Sequence, residues 1–209
     1  PVLSQAFILQ EIRELERQGL FVFLFCLVDP TVYEDEKAVW DGLAAVTYIS
    51  HQSRWSLLAM AVHRCLRNPW RFLHTCIALA TRYRLRSALG YLLYSVYIAR
   101  QLEREGITHI HAHFATEPAS VAQSLHWLTG ISYSFTAHAY DIYIGAPYST
   151  AYRPSKMTLG DKIRMARFVV TCSAYNQRYL TEIASGLAHH IYNIHTGVKL
   201  DVLSSHLSR

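Results

Sequence analysis

The residues best able to do chemistry fall in two runs, Ile107–Ala122 (ITHIHAHFATEPASVA) and Ser132–Tyr143 (SYSFTAHAYDIY). The first sets His109, His111 and His113 at every second position; the second holds His138 and Asp141. A neutral imidazole can accept or donate a hydrogen bond to a substrate hydroxyl and tolerate charge developing nearby, so His138 is a candidate functional residue. Asp141 can bind a hydroxyl, or it can cap the following turn through free N–H groups; the sequence leaves both open. Histidines that alternate along a strand share one face, where imidazoles can hold a metal ion. No cysteine or carboxylate completes a ligand set around them, and His109 lies far from His113. The expectation is therefore histidines packed under a helix or near a cleft, with no metal. Of the three, only His113, together with Phe114, is placed to reach a cleft.

These residues need elements to carry them. Ile107 to His113 is a β-branched, apolar run that follows Gly106 and leads into Thr116-Glu117-Pro118. Proline suits the first turn of a helix, where a missing N–H costs nothing. Ala119 to Leu128 continues at helical spacing, Gly130 ends it, and Tyr133 to Ala137 reads as the next strand. In this β-α-β unit, His113 and His138 fall at the carboxyl ends of the strands, where open α/β sheets bind ligands. Ala6 to Gln18 is an amphipathic helix ended by Gly19. Leu20 to Val28 is an apolar run that fits a strand covered on both faces, and Val46 to Ile49 is a short strand. Residues from about Ser53 to Arg104 read as helices broken near Asn68-Pro69 and near Arg86-Ser87. Asp161 to Arg167 is a helix, Phe168 to Cys172 a strand, Ala174 to Ala184 a helix and Ile191 to Ile194 a last strand.

The alternation predicts an α/β fold, a Rossmann-like doubly wound parallel sheet, in one domain over residues 1–209. The chain opens on a helix, whereas such a domain usually begins with its central strand. The expectation is a sheet lacking that first strand and a fragment of low stability. Ser4 and Gln5 would lie where that strand ends and the first helix begins. Helix N-termini present free N–H groups, so this point could bind an anion, or Ser4 could simply cap the helix. Ser173 and Asn176 open a later helix after a strand, as substrate contacts or as a cap.

The net charge of +5 points to anionic partners. Four cysteines without paired spacing suit a reduced, cytoplasmic setting. No apolar stretch is long enough for a confident membrane span, and the absence of Gly-x-Gly-x-x-Gly excludes a dinucleotide-binding dehydrogenase. From Gly42 to Leu102 there are eight arginines and no acidic residue, interleaved with tryptophans and leucines. Arg54, Arg64, Arg67 and Arg71 are candidates to face an anionic membrane, or to form an ordinary solvated basic face. No nucleic-acid motif accompanies them, and no nucleic-acid partner is expected.

The chain resembles the N-terminal half of a GT-B glycosyltransferase of family 4, similar to bacterial enzymes that build colanic acid, capsule or lipopolysaccharide. The likeness is carried in order by PVLSQAFILQEI (Pro1–Ile12), GITHIHAHFATEPASVA (Gly106–Ala122), FTAHAYDIY (Phe135–Tyr143), FVVTCSAYNQRYL (Phe168–Leu180) and IHTGVKL (Ile194–Leu200). The resemblance implies the acceptor-side domain of a retaining enzyme, with a C-terminal nucleotide-sugar-binding domain absent from these residues. It implies no cofactor and no metal, a sugar or lipid-linked saccharide acceptor, and an enzyme on the cytoplasmic side of a membrane. It makes His138 the histidine that faces the transferred sugar, a catalytic role. Relatives carry Glu-Thr where Gln5-Ala6 stands, and Asp where Lys199 stands. These departures leave a second reading, a non-catalytic α/β binding module with a basic membrane-docking face.

Overall fold

The computed structural model describes residues 6–27, 46–49, 52–143, 156–184 and 190–195. Its elements alternate as the sequence predicts. Helix α1 (Ala6–Arg17) leads to strands β1 (Leu24–Cys26) and β2 (Val46–Tyr48). Helices α2 (Arg54–Arg67), α3 (Pro69–Arg82) and α4 (Leu85–Arg104) follow. Then come β3 (His109–His113), α5 (Glu117–Thr129), β4 (Ser132–Ala137) and the single turn α6 (Tyr140–Tyr143). Helix α7 (Lys156–Met165), β5 (Val169–Thr171), α8 (Ala174–Ile183) and β6 (Ile191–Asn193) complete the series.

Every strand pairing is parallel, with β1 against β2 and β3-β4-β5-β6 in sequential order. Parallel neighbours need a crossover, and α5, α7 and α8 supply the ones between β3 and β6. Among the described residues no hydrogen-bonded pair joins β1 to β3, so the strands form two sheets. No described helix is long and apolar enough to cross a membrane.

Local chemistry sets the boundaries. Gly19 and Gly130 follow α1 and α5 in the left-handed region, with φ +85° and +83°, where a side chain would be strained. Asn68 closes α2 and caps α3, its Oδ1 accepting from the Arg71 N–H at 3.2 Å, with Pro69 in the first turn. The second break in the helical region falls at Tyr83-Arg84, ahead of the expected Arg86-Ser87. Tyr83 adopts an extended backbone, and its buried ring donates a hydrogen bond to Ser120 Oγ at 3.1 Å. That tertiary anchor fixes the corner.

Two cores flank the larger sheet's connections. Helices α3 and α4 pack on α5, and α2 packs on α3 and α4, around Leu57, Leu79, Tyr91, Ile98, Leu125 and Leu128. Tyr133, Phe135, Ala137, Val169 and Ile191 form the apolar face of the sheet and pack on Ala119, Ile163 and Leu180. Because side chains alternate along a strand, the opposite face carries the histidines of β3 beside Ser132, Ser134 and Thr136 of β4. One sheet therefore has an apolar face and an imidazole–hydroxyl face, and the site lies at the carboxyl end of the second.

Candidate functional site

At the ends of β3 and β4 the two chains diverge, and their backbone N–H groups lose their ladder partners. Asp141, buried at the start of α6, takes both. Its Oδ2 accepts from the Ala115 N–H at 2.7 Å and its Oδ1 from the His138 N–H at 3.0 Å. A carboxylate accepting backbone N–H bonds makes strong, charge-assisted contacts. Asp141 thus ties the loop after β3 to the loop after β4.

Behind the same loop, the buried Lys162 of α7 donates to the Ala115 and Thr116 carbonyls at 2.7 and 3.0 Å. Burial pushes its ammonium pKa down, and Tyr83, Glu117 and Asp141 push it back up. Sequence reasoning passed over Lys162. The available signal was its place among Leu159, Ile163 and Ala166, on the helix face that turns out to be buried.

His138 sits on this frame. Its ring packs against Phe7 of α1 (centroids 4.7 Å apart), Phe114 (4.8 Å) and His113 (6.1 Å). Among the described residues its buried Nε2 has no hydrogen-bond partner. Burial lowers its pKa and so favours the neutral ring, an effect that Asp141 partly offsets. Phe114 holds φ +78°, a backbone region that bulky residues rarely enter. Its N–H still donates to the Thr136 carbonyl at 2.9 Å, so the twist turns the ring onto His138 without breaking the pairing.

Asn176 braces the His138 loop from α8. Its Nδ2 donates to the His138 carbonyl and its Oδ1 accepts from Tyr143 Oη at 2.8 Å. Ser173 caps α8, its Oγ accepting from the Asn176 N–H at 3.1 Å. The structure therefore gathers His113, Phe114, His138, Asp141, Ser173 and Asn176 at one end of the sheet. Within that group Asp141 and Asn176 spend their polar atoms on the protein, while His138 Nε2 has no partner among the described residues. Ser4 and Gln5 lie outside the described residues.

The three histidines of β3 are wired to β4. His109 Nδ1 and Nε2 lie 2.9 and 2.7 Å from Ser132 Oγ and Ser134 Oγ. His111 Nδ1 and Nε2 lie 2.7 and 2.9 Å from Ser134 Oγ and Thr136 Oγ1. Phe168 stacks on both rings. His113 is different: its buried Nδ1 has no partner among the described residues, and its Nε2 is 4.0 Å from Glu11 Oε2, too long for a hydrogen bond. Burial, with neighbouring imidazoles, pushes the pKa of His111 down to about 4 and that of His113 to about 3. Glu11, Phe7 and the hydroxyl ladder were not singled out from the sequence. The carboxylate missing from the sequence reading comes from α1, one helix and many residues away.

The candidate membrane-facing arginines divide. Arg54, Arg67 and Arg71 are exposed on α2 and α3. Arg64 differs from them: its side chain is 13% exposed, pairs with Glu103 and donates to the Leu128 carbonyl at 2.9 Å. It points inward because Glu103 of α4 and the open carbonyl at the end of α5 both lie on that side.

Asp141→Asn tests the clamp. The amide keeps one acceptor but sets an NH2 group against a backbone N–H. The expected cost is about 1–3 kcal/mol in chemical denaturation. A loss below about 0.5 kcal/mol, the range of a bland surface substitution, would contradict the geometry.

No curated protein matches the chain. The sequence model of Glycosyltransferase Family 4 matches residues 4–202, spanning both loops, the histidine strand and α8. With an α/β parallel fold and a site at the strand ends, the chain belongs to glycosyltransferase family 4 and its chemistry is glycosyl transfer.

Proposed function

We propose that the chain is the acceptor-binding half of a retaining glycosyltransferase. It moves a sugar from a nucleotide-sugar to a polysaccharide or lipid-linked acceptor, at the cytoplasmic face of a membrane. The observation that carries this reading is His138, a ring favoured neutral by burial, with an Nε2 unpartnered among the described residues, at the carboxyl end of a parallel strand. Such a nitrogen can exchange a hydrogen bond with a sugar hydroxyl, and its fixed position costs no reorganisation when charge develops. Donor binding falls to a second domain beyond these residues, and transfer itself needs no metal.

The test is sugar transfer by the full-length parent, with a panel of nucleotide-sugars and membrane extract as acceptor. His138→Ala is expected to lower turnover about a hundredfold or more while the protein stays folded. Equal turnover in wild type and variant would remove His138 from the chemistry.

A second reading, a non-catalytic module that docks on anionic membranes, is favoured by the outer surface of α2–α4. Trp55, Leu58, Val62 and Leu66 form one exposed stripe on α2, and Trp70, Leu73 and Ile77 another on α3. Trp55 is 80% and Trp70 79% exposed, beside the exposed Arg54, Arg67 and Arg71. A groove of about 770 Å³ between α2 and α4 adds His63, Arg100 and Arg104. Apolar stripes edged by arginine fit a headgroup layer. The same face would serve the enzyme by bringing it to a lipid-linked acceptor.

Sedimentation should show binding to phosphatidylglycerol vesicles that weakens with salt and with Trp55→Ala plus Trp70→Ala. Equal binding to purely zwitterionic vesicles, or none to either, would contradict the docking face. Docking without transfer would favour the module over the enzyme.

A further inference from the structure

Glu11, His111 and His113 each offer one ligand atom, and these atoms lie within 4.8 Å of one another. They come from two elements, α1 and β3, which approach each other where Glu11 Oε2 lies 4.0 Å from His113 Nε2. Two neutral imidazoles and one carboxylate form a nitrogen–oxygen set of the kind that binds zinc-class divalent ions with a position left open.

The hydrogen-bond ladder sets His111 for this task. The ladder admits a tautomer set in which Ser132 Oγ, 3.5 Å from the Thr108 carbonyl, accepts from His109 Nδ1–H. His109 Nε2 must then be the acceptor, and Ser134 O–H donates to it. Ser134 Oγ in turn accepts from His111 Nδ1–H. That leaves His111 Nε2 with a lone pair, which Thr136 O–H satisfies. A metal-ligating histidine has this form, one nitrogen held by an outer hydroxyl and the other bearing the lone pair. An ion would take the place of the threonine proton.

Around Glu11 and His113 the same position lacks a partner. Among the described residues His113 is the only chargeable base within ion-pair reach of Glu11, and it stands 4.0 Å away. The ring's buried Nδ1 has no hydrogen bond among the described residues. An ion bonded at about 2.0–2.2 Å to each ligand bridges atoms roughly 3–4 Å apart, and Glu11, 44% exposed, is free to close on it.

We propose that Glu11, His111 and His113 form a binding site for a divalent transition ion of the zinc class, beside the His138 ring. Bound there, the ion joins α1 to β3 and completes its coordination with water. This site is separate from the handling of the donor diphosphate.

Metal-stripped protein would be titrated with Zn²⁺ by calorimetry, and with Co²⁺ by its visible d–d absorption. Wild type, Glu11→Gln and His113→Ala would be compared, with circular dichroism reporting the fold. Expected is one equivalent of Zn²⁺, a tetrahedral-type Co²⁺ spectrum, and affinity at least about tenfold weaker in either variant. No saturable uptake by wild type, or uptake that neither substitution weakens, overturns the site. The readout is ion binding by the chain itself, so a failure of sugar transfer leaves it unaffected.

Discussion

The end of the sheet that holds the candidate site depends on one buried carboxylate. Parallel strands must part at their carboxyl ends to enter crossover connections, and the first N–H groups beyond the ladder then need acceptors. Asp141 meets the need at both strands at once, through Ala115 and His138. Lys162 completes the arrangement from the other side by taking the carbonyls of Ala115 and Thr116. The loop after β3 is thus held by its donors through an anion and by its acceptors through a cation. With both loops fixed, His138 and Phe114 have defined positions, and the φ +78° of Phe114 can be sustained.

The sheet divides labour between its faces. Tyr133, Phe135 and Val169 bury the apolar face, and this burial supplies the driving force for packing. The opposite face gives up apolar contact for a chain of imidazoles and hydroxyls in which each ring nitrogen of His109 and His111 has a partner. Such a network is favourable only when satisfied, and it breaks off at His113 and His138, whose ring nitrogens Nδ1 and Nε2 lack partners among the described residues. Both of these nitrogens belong to the carboxyl ends of β3 and β4.

Much of this was legible in the sequence, for definite reasons. Period-two alternation in HIHAH and SYSFTA marks β3 and β4, and Gly130 and Pro118 bracket α5, so the β-α-β unit and the place of His138 follow from local pattern. Partners distant in sequence did not follow. Nothing local to Glu11 says that α1 lies against β3, and nothing local to Lys162 says which carbonyls it meets. Arg64 looked like its exposed neighbours Arg54, Arg67 and Arg71, because helical position alone does not reveal Glu103 across the groove. The corner at Tyr83 was displaced from its expected place by a side-chain hydrogen bond to Ser120, thirty-seven residues away.

Amide hydrogen exchange at Ala115 and His138 tests the carboxylate clamp most directly. Both residues lie in loops, where amides ordinarily exchange fast. If Asp141 holds them, both amides exchange as slowly as that of Phe135 in the centre of β4. Exchange at loop rates while Phe135 remains protected would contradict the clamp.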